Sequence, residues 1–449
     1  MNNNIVFNDA FFKFHPVGQG LFYSGRIHDF MLNEYEYENY FEKYLDTHIR
    51  DNYFHRNYRM FKHHFYSKAM GKNNVFDFIY DIGSDNKEII QQVRDYVRFL
   101  DRSNKTKIDL LVLSHLDRDH VNGLKELNTI NKERLSEGKQ IIRLGTVVLP
   151  LLHEDEKFYL VSKQLIGDST KDEPEKWYYE LLNDTSSFFS NFGDPTLVFF
   201  NGNGPINDDI HPNDNLTNNV SEQINHYYKS DSITKDTFLT NKTPIKVYQW
   251  EFIFYDIRDK IPSDDLINFK KEVNKLVQEN IDSDSLDNLL TESPEILEGL
   301  KKLYKGLKYT YNEKSICMLH RPVKQVIAFS CYEMGHTNIN KFLERSQYGT
   351  LLTGDFNLNS DRNFLEDFEQ YYLADINSAY ILQLPHHGAV SSNSKRALEY
   401  MRNVRYCIAS HGISNRHRHP DYEVIYYTTK EDKEFVHVHD KNDVLNIEF

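Results

Sequence analysis

An apolar strand runs directly into a loop of metal-binding side chains in LLVLSHLDRDHVNGL, residues 110–124. The continuous apolar residues at 108–113 predict a buried strand. His115, Asp117, Asp119 and His120 follow within six residues, and the alternation at 115, 117 and 119 points three side chains the same way. Imidazole mixed with carboxylate suits divalent cations, and the carboxyl end of a strand is where open α/β sheets place ligand chemistry. We therefore expect a metal site here, against the alternative that Asp119 caps the following helix and the histidines are solvated.

Short strands alternate with helices over much of the chain. Strands are predicted at 11–17, 21–24, 75–82, 108–113, 145–152, 245–255, 315–319, 325–329, 350–353, 379–384 and 406–409, and helices at 88–100, 361–371 and 394–401. This order predicts an α/β fold with two sheets between layers of helices. Two segments interrupt the pattern. An aromatic and charged stretch at 28–74 has helical spacing, and 153–310 carries polar loops and a charged helical stretch. We interpret the first as an insertion and the second as an insertion or a subdomain.

Composition limits the functional classes. The chain has 449 residues, with 53 Lys and Arg against 67 Asp and Glu, for a net charge of −14. This balance argues against general electrostatic binding of nucleic acid, although bound divalent cations would reverse the sign inside an acidic cleft. Three cysteines without paired spacing, Cys317, Cys331 and Cys407, indicate a reducing compartment rather than a disulfide framework or zinc ribbon. With no basic-then-apolar leader and no long apolar window, we expect a soluble cytoplasmic protein that does not use a membrane.

Six further motifs follow in a fixed order, and with them the chain resembles the metallo-β-lactamase superfamily. They are HPVGQGLFYSG (15–25), YDIGS (80–84), NEKSICML (312–319), LLTGD (351–355), LPHHGAVSS (384–392) and ASHGISNRHRHPDYEVI (409–425). The superfamily motif is HxHxDH. Here Asp117 replaces the second histidine, as it does in the hydrolase domain of the ComEC competence-protein family. The resemblance covers about 1–27, 75–152 and 310–449 and implies an αββα sandwich with the two insertions outside it.

The resemblance implies a two-metal site. Its ligands would be His115 and Asp117 on one ion, Asp119 and His120 on the other, and Asp355 as the bridge. A surface turn is the alternative for Asp355, since Thr-Gly-Asp is ordinary turn chemistry. The ions would be Zn²⁺ or Mn²⁺, because the extra carboxylate of Asp117 makes the site harder.

Supporting residues are implied in the same way. The PHHG segment would supply one more ligand, either His386 or His387, and Asp81 would orient ligands from behind. Many superfamily members have another histidine ligand before the bridging aspartate. His153 is the positional candidate, but the ComEC branch often lacks this ligand, and a weakened first site would then permit single-metal occupancy.

Two further groups bear on catalysis. Metal-bound hydroxide is the predicted nucleophile, with Asp119 accepting its proton or orienting it. His419 would contact substrate phosphate or protonate the leaving oxygen, against the alternative of a basic loop flanked by Arg416 and Arg418. His437 and His439 alternate on a late strand and are interpreted as a surface pair on an edge strand rather than a third metal site.

The function that the resemblance favours is phosphodiester cleavage, with DNA or another nucleic acid as the anionic substrate. The full-length competence proteins carry a membrane channel that this chain lacks, so a role in DNA uptake does not follow. One alternative is hydrolysis of a small ester, lactone or phosphocholine-type substrate. Another is a defence or signalling component that binds protein partners through its two insertions.

Overall fold

The computed structural model describes residues 4–33, 74–152, 176–200, 244–255, 315–323, 329–333, 336–341, 348–359, 375–439 and 445–448, apart from 249, 414 and 416. Parts of four helical segments, at 156–163, 268–276, 298–303 and 368–372, are described as well. The predictions for His153, for Arg416 and for most of both insertions lie outside the described residues.

Sixteen strands are defined in these ranges. They are β1 (Asn4–Phe14), β2 (Phe22–Asn33), β3 (Asn74–Ile82), β4 (Lys107–Val112), β5 (Arg143–Pro150), β6 (Thr196–Phe200), β7 (Ile245–Val247), β8 (Trp250–Tyr255), β9 (Cys317–Pro322), β10 (Phe329–Glu333), β11 (His336–Lys341), β12 (Gly349–Leu352), β13 (Ala379–Gln383), β14 (Tyr406–Ser410), β15 (Glu434–Val438) and β16 (Leu445–Glu448).

The α-helices with defined bounds are α1 (Glu88–Arg102), α2 (Arg118–Val121), α3 (Gly123–Ser136), α4 (Lys176–Asn183), α5 (Thr185–Ser190), α6 (Lys395–Tyr400) and α7 (Tyr422–Lys430). Short 3-10 turns occupy Asp375–Ser378 and Pro385–Gly388. Within the described part of the chain, no helix combines the length and apolarity needed to cross a membrane.

The strands form two mixed sheets. The first has nine strands in the order β11-β10-β16-β1-β2-β3-β4-β5-β6, and the second has seven in the order β15-β14-β13-β12-β9-β8-β7. Neighbouring strands from β3 to β6 are parallel, as are those from β12 to β15. The carboxyl ends within each parallel set therefore share one edge of their sheet, which is where loops carry ligand chemistry.

Alternating side chains on the strands connect the layers. On β3, Ile79 packs into a core with helices α1 and α3, whereas Phe78 faces the second sheet and meets Phe252 with ring centroids 5.0 Å apart. On β13, Leu382 packs on the other side against α6 and α7. Each such side chain stabilises the fold by about 1.5–3 kcal/mol when fully buried. The structure thus confirms a mixed α/β fold in which two sheets face each other and helices cover the outer faces.

The structure corrects several predicted boundaries. The strand predicted at 245–255 is a hairpin of β7 and β8, and its turn contains Tyr248 at a positive φ of 55°. Strand β2 continues to Asn33, past the insertion boundary predicted at 28, because it pairs with β1 over eleven positions. Strands β6, β7 and β8 belong to the sheets although they fall inside the insertion predicted at 153–310. They join the sheets through the pairing of β6 with β5 and of β8 with β9, which are distant in sequence, so periodicity could not assign them to a sheet.

Candidate metal centre

Four strand ends bring the predicted site residues together. Asp81 ends β3 and the loop 113–117 follows β4 in the first sheet. Asp355 follows β12, and the PHHG turn follows β13 in the second sheet. Parallel pairing gives the loops of each sheet a shared edge, and the 3.3 Å between Asp355 Oδ1 and His120 Nε2 shows that the two edges meet. Side chains that are far apart in sequence thus become neighbours.

Asp81 holds the ligand loop through both of its oxygens. Its Oδ1 accepts a hydrogen bond from the Ser114 backbone N–H at 2.7 Å, and its Oδ2 accepts from the Ser114 hydroxyl at 2.6 Å. The same Oδ2 lies 2.8 Å from Nδ1 of His120. Asp81 is fully buried, so this contact assigns the proton of His120 to Nδ1 and leaves Nε2 free to bind a metal.

The next residues of the YDIGS motif clamp the same loop. A Cβ on Gly83 would lie 2.3 Å from the backbone carbon of His120, so only glycine permits this close approach. The Ser84 hydroxyl lies 2.5 Å from the Val17 carbonyl oxygen and 2.7 Å from that of Gln19. The VGQG and YDIGS motifs therefore pack together behind the loop that carries His115, Asp117 and His120.

His115 is oriented by two hydroxyls. Its Nδ1 lies 2.9 Å from the Ser114 Oγ and 3.1 Å from the Ser315 Oγ. The Ser315 Oγ also accepts from the Asp355 backbone N–H at 2.9 Å. Nε2 of His115 is 3.6 Å from Asp117 Oδ2. Asp117 precedes α2 without a side-chain capping bond, so its carboxylate faces the centre.

Asp355 lies between two groups of side chains. Its Oδ1 is 3.3 Å from His120 Nε2 and 3.9 Å from His387 Nε2. Its Oδ2 is 3.8 Å from His115 Nε2 and 3.9 Å from His386 Nε2. The two oxygens thus face different histidines, which is the arrangement that a bridging carboxylate requires. Asp355 is only 3% exposed, so the alternative prediction of a surface turn residue is wrong.

The two histidines of PHHG face different surroundings. Both have left-handed backbone angles, with φ of 49° at His386 and 57° at His387. His387 is buried, donates from Nδ1 to the Ser410 carbonyl oxygen at 2.8 Å, and places Nε2 3.4 Å from Asp119 Oδ2. Since a carbonyl can only accept, Nδ1 carries the proton of the neutral ring, which leaves the lone pair of Nε2 for a metal ion. The side chain of His386 is 26% exposed. His387 therefore completes the group that contains Asp119, and His386 lies at its solvent side.

Mutual contacts control the charges of the buried groups. Burial alone would raise the pKa of Asp119 and Asp355, but the neighbouring histidines outweigh it and hold both below the usual range. Burial opposes a proton on His120 and His387, yet the surrounding carboxylates raise the pKa of both. Burial and the adjacent His120 lower the pKa of His115. Protons on imidazoles thus compensate the carboxylates, and a metal ion would displace them.

The donor set fits divalent metal ions. The Nε2 atoms of His115, His120 and His387 are buried without a hydrogen-bond partner, and unpaired buried nitrogens of this kind are costly unless something binds them. Asp119, His120 and His387 place one ligand atom each within 4.8 Å of one another. Asp81, His115 and His120 satisfy the same distance limit. Both oxygens of Asp81 are already hydrogen-bonded, so we assign it to orienting the loop rather than binding an ion.

His419 lies beside this centre. Its ring centroid is 5.6 Å from that of His386, and its Nδ1 is 3.4 Å from Asp421 Oδ2. Asn415 holds its backbone on both sides, accepting from the His419 N–H at 3.0 Å and donating to its carbonyl at 2.7 Å. Burial, followed by the charge of His386, lowers the pKa of His419 to about 4, so the imidazole is neutral at pH 7. Of the two flanking arginines, Arg418 is exposed and Arg416 lies outside the described residues.

Two site residues were missed in the sequence. Gln383 is 2% exposed, accepts from the backbone N–H groups of Thr353 and Gly354 at 2.8 Å, and donates to the Leu384 carbonyl at 2.7 Å. It joins the LLTGD turn to the PHHG turn, and a glutamine at the end of the apolar run 379–384 was a usable signal. Lys163 contacts Asp117 from within the predicted insertion, where no pattern distinguished it.

The late histidine pair has a third member. Strand β15 is at the edge of the second sheet, as predicted. His437 is only half-exposed, and its Nδ1 lies 3.0 Å from Nε2 of His411, a residue that is 7% exposed. The ring of His439 is 5.2 Å from that of His411. The interpretation as a surface pair therefore needs correction, because the buried His411, which directly follows β14, contacts both rings.

The sequence matches no protein-family model and none of the curated proteins.

Proposed function

We propose that this protein is a metal-dependent hydrolase with a metallo-β-lactamase-type αββα sandwich, and that it cleaves phosphodiester bonds. The observation that carries the proposal is the position of Asp355, whose Oδ1 faces His120 and His387 while its Oδ2 faces His115. A carboxylate in that position can contact two ions at once, which is the feature that two-metal hydrolytic centres share.

The chain supplies a ligand set for each ion. One ion would be held by Asp119, His120 and His387, the other by His115 and Asp117, and Asp355 would contact both. Zn²⁺ and Mn²⁺ both suit a set of imidazoles and carboxylates. When bound, such ions activate water for attack and neutralise the charge that develops on a phosphoryl oxygen.

The exposure of each aspartate side chain indicates which of them can contact an entering water. Among the aspartates of the centre, the side chain of Asp119 is 21% exposed, whereas those of Asp117 and Asp355 are 5% and 4% exposed. Asp119 is therefore the carboxylate that meets an entering water, and it would orient that water or accept its proton. Asp81 fixes the tautomer of His120 through Nδ1, so its Nε2 remains a ligand.

The solvent side of the centre is lined with imidazoles. The rings of His386 and His419 are 5.6 Å apart, and those of His419 and His417 are 5.9 Å apart. The neutral imidazole of His419 can donate a hydrogen bond to a phosphate oxygen without repelling the bound ions. A bound phosphodiester would raise the pKa of His419 and prepare it to protonate a leaving oxygen. This row favours an anionic substrate such as DNA or another nucleic acid over a neutral ester.

The test is hydrolysis by purified protein supplied with Mn²⁺ or Zn²⁺. The substrates are bis-p-nitrophenyl phosphate, plasmid DNA and single-stranded DNA, with p-nitrophenyl acetate as a neutral ester. We expect cleavage of the phosphodiesters, abolished by EDTA, and a loss of about 100-fold or more in Asp119→Ala and in Asp355→Ala.

The matched control is Asp95→Ala, which removes an exposed aspartate of α1 that pairs with Arg98. It should keep full activity. Unchanged activity in Asp119→Ala would refute the mechanism. Cleavage of the acetate ester alone would refute the substrate class and leave the hydrolytic centre in place.

A further inference from the structure

Lys163 brings a positive charge into the candidate metal centre. It belongs to the helical segment at 156–163, and its side chain is 34% exposed. Its Nζ forms an ion pair with Oδ2 of Asp117, which is itself 4% exposed. A lysine side chain carries an ammonium group at neutral pH, so this contact places a positive charge against a carboxylate of the centre.

The position of Lys163 is secured by packing. Tyr159, Leu160 and Val161 from the same segment are at most 3% exposed and belong to the core beneath the first sheet. From α4, the Tyr178 hydroxyl donates to the Leu116 carbonyl at 2.8 Å and so ties the same region to the ligand loop. The contact with Asp117 is thus part of a packed interface rather than an exposed surface ion pair.

The ammonium group competes for a ligand atom. Oδ2 of Asp117, which Lys163 contacts, is also the oxygen that lies 3.6 Å from His115 Nε2. An ion on His115 and Asp117 would need that oxygen and would be repelled by the adjacent positive charge. The other group, Asp119 with its two histidines, has three ligand atoms that no lysine contacts among the described residues.

We propose that Lys163 makes this a one-ion centre, in which its ammonium group takes the place of a second cation beside Asp117. The ion that binds tightly is the one on Asp119, His120 and His387. This inference rests on the proposed function: it keeps the ion on Asp119, His120 and His387, and it replaces the second ion, assigned above to His115 and Asp117, by the ammonium group of Lys163. Lys163 is then the residue that sets metal stoichiometry, and Asp355 would contact one ion. Asp117 then has a supporting role, holding the ammonium group rather than an ion.

The experiment measures bound metal instead of activity. Full-length wild type and Lys163→Met are loaded with Mn²⁺, dialysed and analysed for metal content, by calorimetric titration and by electron paramagnetic resonance. We expect one tight ion and the spectrum of an isolated Mn²⁺ in the wild type. In Lys163→Met, a second ion should bind about tenfold or more tightly than in the wild type, with the spectrum of a magnetically coupled pair.

Three further variants give the experiment its controls. Lys163→Arg keeps the charge and should keep one ion. Lys139→Met removes an exposed lysine that pairs with Glu137 and should also keep one. Asp117→Asn should retain the tight ion within about threefold, since that ion does not use Asp117. This last variant decides the inference even if Lys163→Met does not fold, because loss of the ion in Asp117→Asn would overturn it.

The outcomes separate the two proposals. A wild type that binds no ion would overturn the proposed function itself. A wild type with two tight ions, or equal stoichiometry in the wild type and a folded Lys163→Met, would overturn only the role of Lys163.

Discussion

Replacing Asp81 by asparagine tests how far the centre depends on a residue that binds no ion. Asparagine has the same shape and tolerates the left-handed backbone at this position, where φ is 54°. Oδ1 can still accept from the Ser114 N–H, but the new NH₂ group then faces Nδ1 of His120, where Oδ2 accepted at 2.8 Å. Two donors cannot face each other, so His120 must move its proton to Nε2, the atom that would bind metal.

The expected loss of metal affinity follows from that change of tautomer. Loss of a partner that orients a metal-binding histidine reduces metal affinity about 10–100-fold, or about 1.4–2.7 kcal/mol. The assay is calorimetric titration of metal-free protein with Mn²⁺ or Zn²⁺. The matched control is Asp194→Asn, the same substitution at an exposed aspartate with φ of 52°. Wild-type affinity in a folded Asp81→Asn would refute the assignment of Asp81 as the residue that orients His120.

Three further predictions concern stability. Gly388→Ala should destabilise the protein by about 1–3 kcal/mol in urea denaturation, because φ is 84° there and the new Cβ would lie 2.7 Å from a proline side chain. Asp77→Asn should cost about 3–5 kcal/mol, because the buried Arg26 guanidinium loses its negative partner and the amide can accept only one of the two bonds of 2.7 and 3.0 Å. In EDTA, stability should fall as pH rises above about 6.5, the ordinary pKa of histidine, since the raised pKa values of His120 and His387 mean that the folded state binds more protons than the unfolded state.

Each of these has a control. Gly138 also has a positive φ, 71°, but nothing lies within 4 Å of an added Cβ, so Gly138→Ala should cost less than Gly388→Ala. Asp95→Asn should cost less than about 1 kcal/mol, because its pair with Arg98 is exposed. Saturating Zn²⁺ should reverse the pH dependence, because metal binds the deprotonated imidazoles. Equal costs in either pair of variants, or stability in EDTA that rises with pH, would contradict the reasoning.

Local patterns were sufficient to predict the strands that carry the site. The apolar run before His115 became β4, and the run before PHHG became β13. Buried strands in parallel sheets are continuous apolar segments, so they are readable without knowing their neighbours. The motifs that follow these strands could also be predicted, because each motif lies on one short loop. The alternative that Asp119 caps α2 fails, since α2 begins at Arg118 and Asp119 lies inside it.

Only the tertiary structure decided which loop residues face the centre and which lie at its solvent side. His386 and His387 are adjacent in sequence, and it is the left-handed backbone at both that sends one to Asp119 and leaves the other at the solvent side. Lys163 and Gln383 reach the centre through packing and sheet pairing with residues far along the chain.

The sequence by itself therefore determined that four metal-competent side chains follow a buried strand, because spacing within one loop is a local property. Whether Asp117 faces a second ion or an ammonium group is decided by a helical segment some forty-six positions later, which no local pattern can place.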